Sequence, residues 1–360
     1  MVGVDIRRTL PGGARYGEAM TSSAMDQAVA GLARAIYFLD RGLAPRQKAK
    51  AFQRAIDVVT DLDEATLGEL VTSGRITSLD GIGDSTGGVI VDSVNGTPSA
   101  YLARLDAQSA QLATVGAPMR AAVRSDLHCH TTWSDGGASI RAMAENARAL
   151  GHTHLAITDH SPRLTVAHGL SPERLDEQLD EIDRLNIELA PFRILRGMEV
   201  DILLDGSLDL PEESLARLDV VVASVHSKLA MPADEMTRRM VLAVASPHVD
   251  ILGHCTGRLI MGTPRAPSRF DADLVFAACA QFATAVEINC RPERHDPPAE
   301  LLAAADEWGC LFAIDCDAHS PGQMEWQAWG CDVATQQGID AERIINTWDT
   351  DELLAWTAAA

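Results

Sequence analysis

The sequence predicts an α/β protein in which a small, all-helical N-terminal domain precedes a barrel of seven parallel strands. Apolar residues recur at helical spacing between residues 24 and 105. From residue 126 onward, strand-like runs alternate with helical stretches, as in the βα units that build a parallel sheet. Histidine or acidic residues stand at the end of nearly every strand-like run. This placement favours a closed barrel, because barrel enzymes gather their functional groups at the carboxyl ends of the strands.

The predicted elements follow one another in a regular order. Residues 1–23 lack periodicity, and we expect them to form a flexible N-terminus. The helical domain spans residues 24–105, a linker helix spans 106–123, and the barrel domain spans 124–360. Within the barrel domain we predict strands at 126–130, 154–159, 194–201, 219–225, 250–253, 285–289 and 311–316, and helices at 138–150, 171–189, 233–245, 270–282 and 298–308.

Two features of the helical domain are typical of nucleic-acid contacts. The turn Gly81-Ile82-Gly83 resembles a helix-hairpin-helix turn, in which a glycine loop offers backbone N–H groups to a phosphate. Asp84 stands where a basic residue is usual, and a tight turn between two packed helices is the alternative. A basic cluster without an acid is either a solvated face or a contact to a phosphate backbone; it consists of Arg41, Arg46, Lys48, Lys50 and Arg54.

Composition limits the classes of function. The formal net charge of −21 arises from residues 126–360, which carry 17 basic and 38 acidic residues, and an acidic domain repels bare nucleic acid. The chain has no 18-residue apolar run and no apolar signal core, so we expect a cytoplasmic protein without a membrane contact. The seven cysteines form no CxxC pair and are expected to be reduced. Cys129, Cys255 and Cys316, each beside a proposed ligand, are interpreted as packing residues.

The segment Asp126-Leu127-His128-Cys129-His130 is the most informative part of the chain. Residues i and i+2 share one face of a strand, so His128 and His130 point the same way, and Asp135 follows in the loop. The other candidate ligands each end a later strand-like run: His160, Glu199, His226, His254, Asp317 and His319. Nine nitrogen and oxygen donors exceed what one tetrahedral zinc needs. They suit two or three adjacent divalent ions, with Glu199 as the bridging carboxylate, and Zn²⁺, Mn²⁺ and Fe²⁺ all accept such ligands.

This series of motifs resembles the PHP (polymerase and histidinol phosphatase) family of metal-dependent phosphoesterases. The matching motifs, between residues 124 and 345, are His128-x-His130, Ser134-Asp135-Gly136, Thr158–Ser161, Glu199, Ser224–Ser227, His254 and Asp317–Ser320. The resemblance implies a distorted, TIM-like barrel of seven strands with a trinuclear metal site. Three short sequence segments are similar to the PHP domain of bacterial family X DNA polymerases: Thr256-Gly257-Arg258, Glu287-Ile288-Asn289 and Ala318–Gln323. Residues 25–105 resemble the helical N-terminal domain of those polymerases.

The resemblance also implies how the ligands divide among three metals. His128, His130, Glu199 and Asp317 would hold one ion, Glu199, His226 and His254 a second, and Asp135, His160 and His319 the third. The chain departs from the polymerases in lacking the nucleotidyl-transfer part, since only residues 106–123 join the two regions, so we expect no polymerase activity. Cys255 replaces a usual proline and His295 replaces an apolar residue, which affects the expected substrate pocket.

Hydrolysis of a phosphate ester requires a nucleophile and neutralisation of charge. A hydroxide between two metals would supply the nucleophile, because metal binding lowers the pKa of water to about 7. Arg258, just past His254, would fork onto a phosphate oxygen or form a surface salt bridge. Asp159, beside His160, would orient a ligand or cap a turn. Three other cations that follow strand ends are weaker candidates for the phosphate contact, and for them a surface salt bridge is the simpler interpretation: Lys228, Arg291 and Arg294.

The sequence therefore predicts a metal-dependent phosphoesterase with two candidate substrates. The helical domain favours a 3′-to-5′ exonuclease or 3′-end processing enzyme that binds DNA through residues 25–105. The acidic barrel favours a small-molecule phosphatase of the histidinol-phosphatase type. A non-catalytic DNA-binding repair adaptor is a third hypothesis, and the complete set of ligands speaks against it.

Overall fold

The structure is a computed structural model that describes residues 23–111 and 113–359. It divides into two compact units. The first unit consists of the chain up to Ala110 together with Pro321–Gln323, and the second unit consists of the remaining chain. The flexible segment predicted for residues 1–23 lies outside the described residues, except for Ser23, which precedes the first helix.

The described part of the first unit contains five α-helices around an apolar core. They are α1 (Ala24–Arg41), α2 (Arg46–Thr60), α3 (Glu64–Thr72), α4 (Asp84–Val94) and α5 (Ala100–Ser109). A capping box begins α1: the Asp26 N–H donates to the Ser23 hydroxyl, and the Ser23 N–H donates to the Asp26 carboxylate. Leu32, Phe52 and Ile90 are buried in the shared core. These helices lie in the region for which the sequence predicts a helical domain, and the bounds of that domain stay a prediction.

The Gly81-Ile82-Gly83 turn lies between α3 and α4. Gly81 has a left-handed backbone (φ +93°), and Gly83 is the N-cap of α4. Immediately before the turn, Arg54 donates to the Asp80 carboxylate at 2.8 Å. A left-handed glycine and a helix start suit a phosphate-binding turn and a plain tight turn equally well. The helix-hairpin-helix interpretation therefore stays a prediction.

The basic cluster is smaller than the sequence predicts. The Arg41 side chain is only 4% exposed, and its guanidinium donates to the Asp106 carboxylate at 2.6 Å. Arg41 is thus committed to the core of the helical unit. Arg46, Lys48 and Lys50 are exposed at the start of α2. Arg54 is also exposed, but it is paired with Asp80. Arg46, Lys48 and Lys50 are therefore the part of the cluster that can meet a ligand without breaking an ion pair seen among the described residues.

The prediction of one linker helix over 106–123 is wrong. Helix α5 ends at Ser109, and the next helix, α6, spans Ala117–Ala122. Between them the Asp332 carboxylate accepts the N–H groups of Thr114 at 2.8 Å and of Gly116 at 2.7 Å. A continuous helix would have used these N–H groups for its own carbonyl groups. Side-chain competition for the backbone therefore interrupts the helix.

The described part of the second unit has one sheet of six parallel strands. The strands are β1 (His154–Ile157), β2 (Arg193–Asp201), β3 (Val220–Ser224), β4 (Ile251–Leu252), β5 (Ala285–Asn289) and β6 (Phe312–Asp315), and strands adjacent in sequence are adjacent in the sheet. The helices are α7 (Ile140–Ala149), α8 (Pro172–Leu189), α9 (Glu212–Leu215), α10 (Ala233–Val244), α11 (Ala272–Gln281), α12 (Ala299–Glu307), α13 (Gln327–Gln337) and α14 (Thr350–Thr357). Nearly every strand residue is buried, as in a parallel sheet that is covered on both faces. The predicted α/β alternation is confirmed.

The first predicted strand, 126–130, is an extended segment without a ladder. Its consecutive N–H groups at 127–129 donate to the side chains of Asp315, Asp126 and Thr158, at 2.7, 3.2 and 2.9 Å. A ladder needs these N–H groups for the carbonyl groups of a neighbouring strand. A single parallel bridge still links the segment to the chain just past β6. The predicted barrel of seven strands is therefore observed as six strands and this irregular segment.

The carboxyl ends of the parallel strands share one edge of the sheet, and the loops that follow them meet there. Beneath that edge the strands bury an apolar core that includes Leu195, Val222 and Ala313. The sheet thus supplies a rigid base for the polar side chains at the strand ends. In the described part of the chain, we find no helix with the length and apolarity that crossing a membrane requires.

Candidate metal centre

The nine predicted ligands come together at the carboxyl ends of the strands. The 126–130 segment carries His128 and His130, and Glu199 lies near the end of β2. The other six lie in loops that follow strands or that segment. Each of the nine has a nitrogen or oxygen atom within 3.6 Å of another member; the set is His128, His130, Asp135, His160, Glu199, His226, His254, Asp317 and His319.

The Glu199 carboxylate lies at the centre of the cluster and is 1% exposed. Five imidazole nitrogens surround its two oxygens at 2.9–3.5 Å, those of His128, His130 and His160 beside Oε2 and those of His226 and His254 beside Oε1. A carboxylate with imidazoles on both oxygens has the arrangement of a bridging ligand between two cations. This is the role that the sequence predicts for Glu199.

Asp135 lies at the centre of a second group on the outer side of the cluster. Its Oδ1 atom lies 3.4 Å from His319 Nε2 and 3.6 Å from His160 Nε2. The ring of His130 lies 4.3 Å from the ring of His319 and 4.4 Å from the ring of His160, between centroids. His130 therefore joins the group around Asp135 to the group around Glu199.

The Nδ1 atom of His319 lies between an acceptor, the Asp317 carbonyl at 2.9 Å, and a donor, Arg291 Nη1 at 3.0 Å. Two other imidazoles are held at Nδ1 by a carboxylate, which leaves Nε2 directed at the cluster. The partners are Glu287 for His128 (2.6 Å) and Asp201 for His226 (3.1 Å). Hydrogen bonds of this kind fix the tautomer and the ring orientation of metal-binding histidines. The sequence pattern by itself predicts no role for Glu287 or Asp201. The signal for both is an acidic residue at a buried position of a parallel strand.

Asp317 meets two arginines from the loop after β5. Arg291 Nη1 lies 3.3 Å from Asp317 Oδ1, and Arg294 Nε lies 3.3 Å from Oδ2. Asp317 itself has a left-handed backbone (φ +50°), which non-glycine residues adopt rarely. Its Oδ1 atom also lies 3.4 Å from His130 Nε2. Asp317 therefore links the imidazole cluster to the cationic loop.

The buried charges set the protonation of the cluster. Burial alone would raise the pKa of the Glu199 carboxyl, but His226 and His128 hold that pKa well below its usual value. Burial, together with the neighbouring His319, lowers the pKa of His130 to about 3. The carboxylate is therefore ionised and the His130 imidazole neutral at pH 7, and these are the forms that bind cations. Despite burial, Glu199 raises the pKa of the His226 imidazole to about 9, so a cation must displace the proton of His226.

The donors fit divalent cations. The Nε2 atom of His128 and both ring nitrogens of His130 are buried without a hydrogen bond, which is unfavourable unless another partner completes them. Within the described ranges, ligand atoms lie close enough for three cation sites: His128, His130 and Glu199; His160, Glu199 and His226; and His130, Asp135, His160 and His319. Asp317 and His254 border these groups, since Asp317 Oδ1 lies 3.4 Å from His130 Nε2 and His254 Nε2 lies 2.9 Å from Glu199 Oε1. The division of the nine ligands among three ions therefore stays a prediction.

The Asp159 carboxylate supports the loop between His130 and Asp135. Its carboxylate accepts the N–H of Thr131 at 2.8 Å and the Thr131 hydroxyl at 2.6 Å. It also accepts the N–H of Ser134 at 3.2 Å and the side-chain amide of Gln178 at 2.6 Å. These bonds hold the loop that carries Asp135. Of the two predicted roles, the contacts of Asp159 fit the turn cap.

Arg258 does not present a free fork to a phosphate, contrary to its predicted role. Its Nε atom donates to the carbonyl of Arg294 at 3.0 Å, and its Nη2 atom donates to the carbonyl of His295. Because the guanidinium is bound to backbone, Arg258 fixes a loop. Arg291 and Arg294, for which the sequence favours a surface salt bridge, reach the cluster instead.

The seven cysteines are free and buried. Burial raises the pKa of the thiols of Cys129, Cys255 and Cys316 well above the usual value, so they stay protonated. Cys129 donates to the carbonyl of Ala156, and Cys316 to that of Met324. These contacts agree with the predicted packing role.

Comparisons with known proteins point to one family. A family model described as PHP domain matches residues 126–278. The DNA polymerase/3′-5′ exonuclease PolX of Bacillus subtilis (strain 168) is 42% identical over 224 residues, which cover 62% of this chain and 39% of that protein. A probable phosphatase of Aeromonas hydrophila is 30% identical over 238 residues, which cover 61% of this chain and 88% of the phosphatase.

Among solved structures, a histidinol phosphate phosphatase matches weakly. Histidinol phosphate phosphatase from Lactococcus lactis, complexed with zinc, L-histidinol and phosphate, is 18% identical with a TM-score of 0.42, over 60% of this chain and 94% of that chain. A TM-score this low does not by itself establish a common fold. The matched PHP model and the probable phosphatase, which aligns over most of its length, carry the assignment. The chain belongs to the PHP domain family and is a hydrolase of phosphate esters.

Proposed function

We propose that the chain is a metal-dependent phosphoesterase that acts on 3′ ends of DNA, as a 3′-to-5′ exonuclease or a 3′-end processing enzyme. The observation that carries the metal-dependent mechanism is the convergence of five imidazoles on the single buried carboxylate of Glu199. Bound divalent ions would lower the pKa of a water molecule and neutralise charge on the phosphoryl group.

The residues of the chain have distinct tasks in this mechanism. The Glu199 carboxylate has imidazoles beside both of its oxygens, such as that of His226 beside Oε1. The Asp135 carboxylate lies beside the imidazoles of the outer group, such as that of His319. Glu287 keeps the His128 ring oriented, so that Nε2 points to the cluster. Arg291 and Arg294 bring positive charge to the same edge, where the substrate phosphate must lie.

Two observations favour DNA as the substrate. The relative with 42% identity is named a DNA polymerase/3′-5′ exonuclease, and the match covers 39% of its length. The helical unit carries the Gly81-Ile82-Gly83 turn and three exposed cations, Arg46, Lys48 and Lys50. Cations near a DNA backbone raise affinity by displacing counterions.

The net charge of −21 favours a second candidate, a small-molecule phosphatase of the histidinol-phosphatase type. A strongly acidic protein repels a polyanion more than it repels a small phosphate ester. The probable phosphatase of Aeromonas hydrophila matches over 88% of its own length, which also suits this candidate.

A side-by-side assay separates the candidates. Metal-loaded protein is given a 5′-labelled single strand, an oligonucleotide with a 3′-phosphate, and histidinol phosphate. We expect shortening of the strand or release of the 3′-phosphate. Release of phosphate from histidinol phosphate alone would replace the DNA proposal with the small-molecule phosphatase. Tight metal binding without turnover of any substrate would favour the non-catalytic adaptor.

Two controls test the metal centre and the DNA contact separately. Chelation, or His128→Ala, should abolish hydrolysis of a generic phosphomonoester, and undiminished activity in either sample would refute the metal-dependent mechanism. A triple variant (R46A, K48A, K50A) should raise KM for the oligonucleotide in a salt-dependent manner and leave the generic ester unaffected. Equal KM values in variant and wild type would remove these three cations from the DNA contact.

A further inference from the structure

We propose that residues 291–296 form a bracket that positions Asp317, and that Arg258 and Trp329 act as positioning residues that hold this bracket in place. The inference rests on the metal centre of the proposed function. It adds Arg258 and Trp329 to the residues on which that centre depends. In the described part of the chain, neither side chain has a hydrogen bond, ion pair or ring contact with any of the nine ligands. Its test measures metal affinity, which is separate from turnover of any substrate.

Two arginines on the inner side of the bracket contact three atoms of Asp317. Arg291 Nη1 lies 3.3 Å from Asp317 Oδ1 and donates to the Asp317 carbonyl at 3.2 Å. Arg294 Nε lies 3.3 Å from Asp317 Oδ2. Each carboxylate oxygen therefore has its own guanidinium. The left-handed backbone of Asp317 (φ +50°) needs such support, because few non-glycine residues adopt it unaided.

The outer side of the bracket is tied to the loop after β4. The Ile260 N–H donates to the carbonyl of Glu293 at 2.7 Å. Arg258 Nε donates to the carbonyl of Arg294 at 3.0 Å, and its Nη2 donates to that of His295. Three consecutive carbonyl groups of the bracket are thus bound by one neighbouring loop. Arg258 supplies the side-chain part of this tie.

Trp329 holds the bracket from the side of α13. The ring of His295 lies parallel to the Trp329 indole, with centroids 3.8 Å apart and 5° between the planes. His295 has a left-handed backbone (φ +43°), so its position is unfavourable without a partner. The adjacent Asp296 is fully buried and accepts the N–H of Thr256 at 3.1 Å. The stack and this bond fix the end of the bracket opposite to Arg291.

Loss of Arg258 or Trp329 should make the bracket more mobile. Arg291 and Arg294 would then no longer hold both carboxylate oxygens of Asp317. Mutation of residues that hydrogen-bond to metal ligands commonly lowers metal affinity by about 10–100-fold. Arg258 and Trp329 act one contact farther out, through those residues. We therefore expect the lower end of that range, about 10-fold, for each single variant.

The test titrates Zn²⁺ and Mn²⁺ into metal-free protein against a competing chromophoric chelator. Arg258→Gln and Trp329→Leu should weaken the binding of at least one ion by about 10-fold. Arg258→Lys keeps one donor to the bracket and should lie between wild type and R258Q. Trp329→Phe keeps an aromatic stack and should bind metal nearly as wild type does. Rescue by the conservative variants separates positioning from a general loss of structure.

Arg343→Gln is the matched control. Like Arg258, Arg343 binds a backbone carbonyl through Nε, that of Cys310 at 3.1 Å, which precedes β6 and lies outside the bracket. Its loss should leave metal affinity unchanged. Wild-type affinity in both R258Q and W329L, or an equal loss in R343Q, would overturn the proposal. A wild-type protein that binds metal and hydrolyses no phosphate ester would refute the proposed function and leave the bracket standing.

Discussion

Glu199 illustrates how a buried charge becomes a functional group. A carboxylate that is 1% exposed is strongly disfavoured unless it is paired, and five imidazole nitrogens lie within 3.5 Å of its oxygens. Two of the rings, those of His128 and His226, are in turn oriented by Glu287 and Asp201. The ligands therefore depend on an outer layer of acids, and changes in that layer should alter metal binding.

Replacing Glu287 with glutamine should weaken metal binding and hydrolysis by about 10–100-fold. Glutamine keeps the shape, but it loses the charge and replaces one acceptor oxygen with an N–H donor. In the wild type, the His128 Nδ1 atom and the backbone N–H of His254 each contact one oxygen of the Glu287 carboxylate. In the glutamine variant, only one of these two groups keeps an oxygen acceptor. Metal content and activity of Glu287→Gln would be compared with those of Glu145→Gln, a buried glutamate on α7. Equal metal content in E287Q and wild type would contradict the expected role.

The loop after the 126–130 segment shows how an element places a ligand. Asp159 binds Thr131 and Ser134, and this fixes the chain just before Asp135. Gly136 follows at a point where the loop touches its own start. A Cβ atom on Gly136 would lie 2.6 Å from the carbonyl oxygen of His130, closer than real contacts allow. Glycine is therefore required here by close backbone approach.

Gly136→Ala should displace the loop and with it Asp135. We expect loss of the outer metal ion, lower activity and a lower Tm, measured by metal analysis and thermal unfolding. Gly137→Ala is the control, because its Cβ would lie 3.5 Å from the nearest atom, the carbonyl oxygen of His319, which is an ordinary contact. Wild-type metal content in G136A would show that the loop adapts without moving its ligand.

At the scale of the whole molecule, metal binding and folding are coupled. The cluster gathers side chains from the 126–130 segment, β2 and the loops after the other strands, so an ion bound there links distant parts of the chain. A ligand that binds only the folded state raises stability. Chelation should therefore lower Tm of the wild type. Glu199→Gln should lose most of this difference, and an equal chelator effect in both proteins would place the stabilising ion elsewhere.

Stability should also fall with rising pH because of Asp250. Burial raises the pKa of Asp250 to about 8, from an ordinary value of 3.8. The folded protein thus keeps a proton that the unfolded chain releases, so the stability from this group is complete below pH of about 4 and is lost as pH approaches 8. One pKa unit corresponds to about 1.4 kcal/mol, which gives an upper limit of several kcal/mol.

Asp250→Asn removes this titration and keeps an oxygen acceptor for the Val221 N–H. In urea unfolding with chelator present, the variant should be close to wild type at pH 4 or below. It should be more stable than wild type at pH 8 by on the order of 2–5 kcal/mol. Parallel pH profiles of the two free energies of unfolding would contradict the raised pKa.

The sequence by itself determined which residues are chemically able to form the site. Periodicity located the parallel strands, and parallel strands end at one edge, so histidines and acids at those ends meet whatever the details of packing. That is why all nine candidate ligands come together. Periodicity did not show that three N–H groups at 127–129 bond to side chains and interrupt the first strand.

Only the tertiary structure decided which charged side chains reach the cluster. Arg258 and Arg291 both follow strand ends, yet Arg258 binds backbone carbonyl groups whereas Arg291 meets Asp317. Glu287 orients a ligand although 159 residues separate it from His128. Long side chains have many rotamers, and their partners are set by loops packed from distant parts of the chain. Strand alternation fixes the direction of a short side chain on a strand, but the contacts of a loop arginine follow from packing alone.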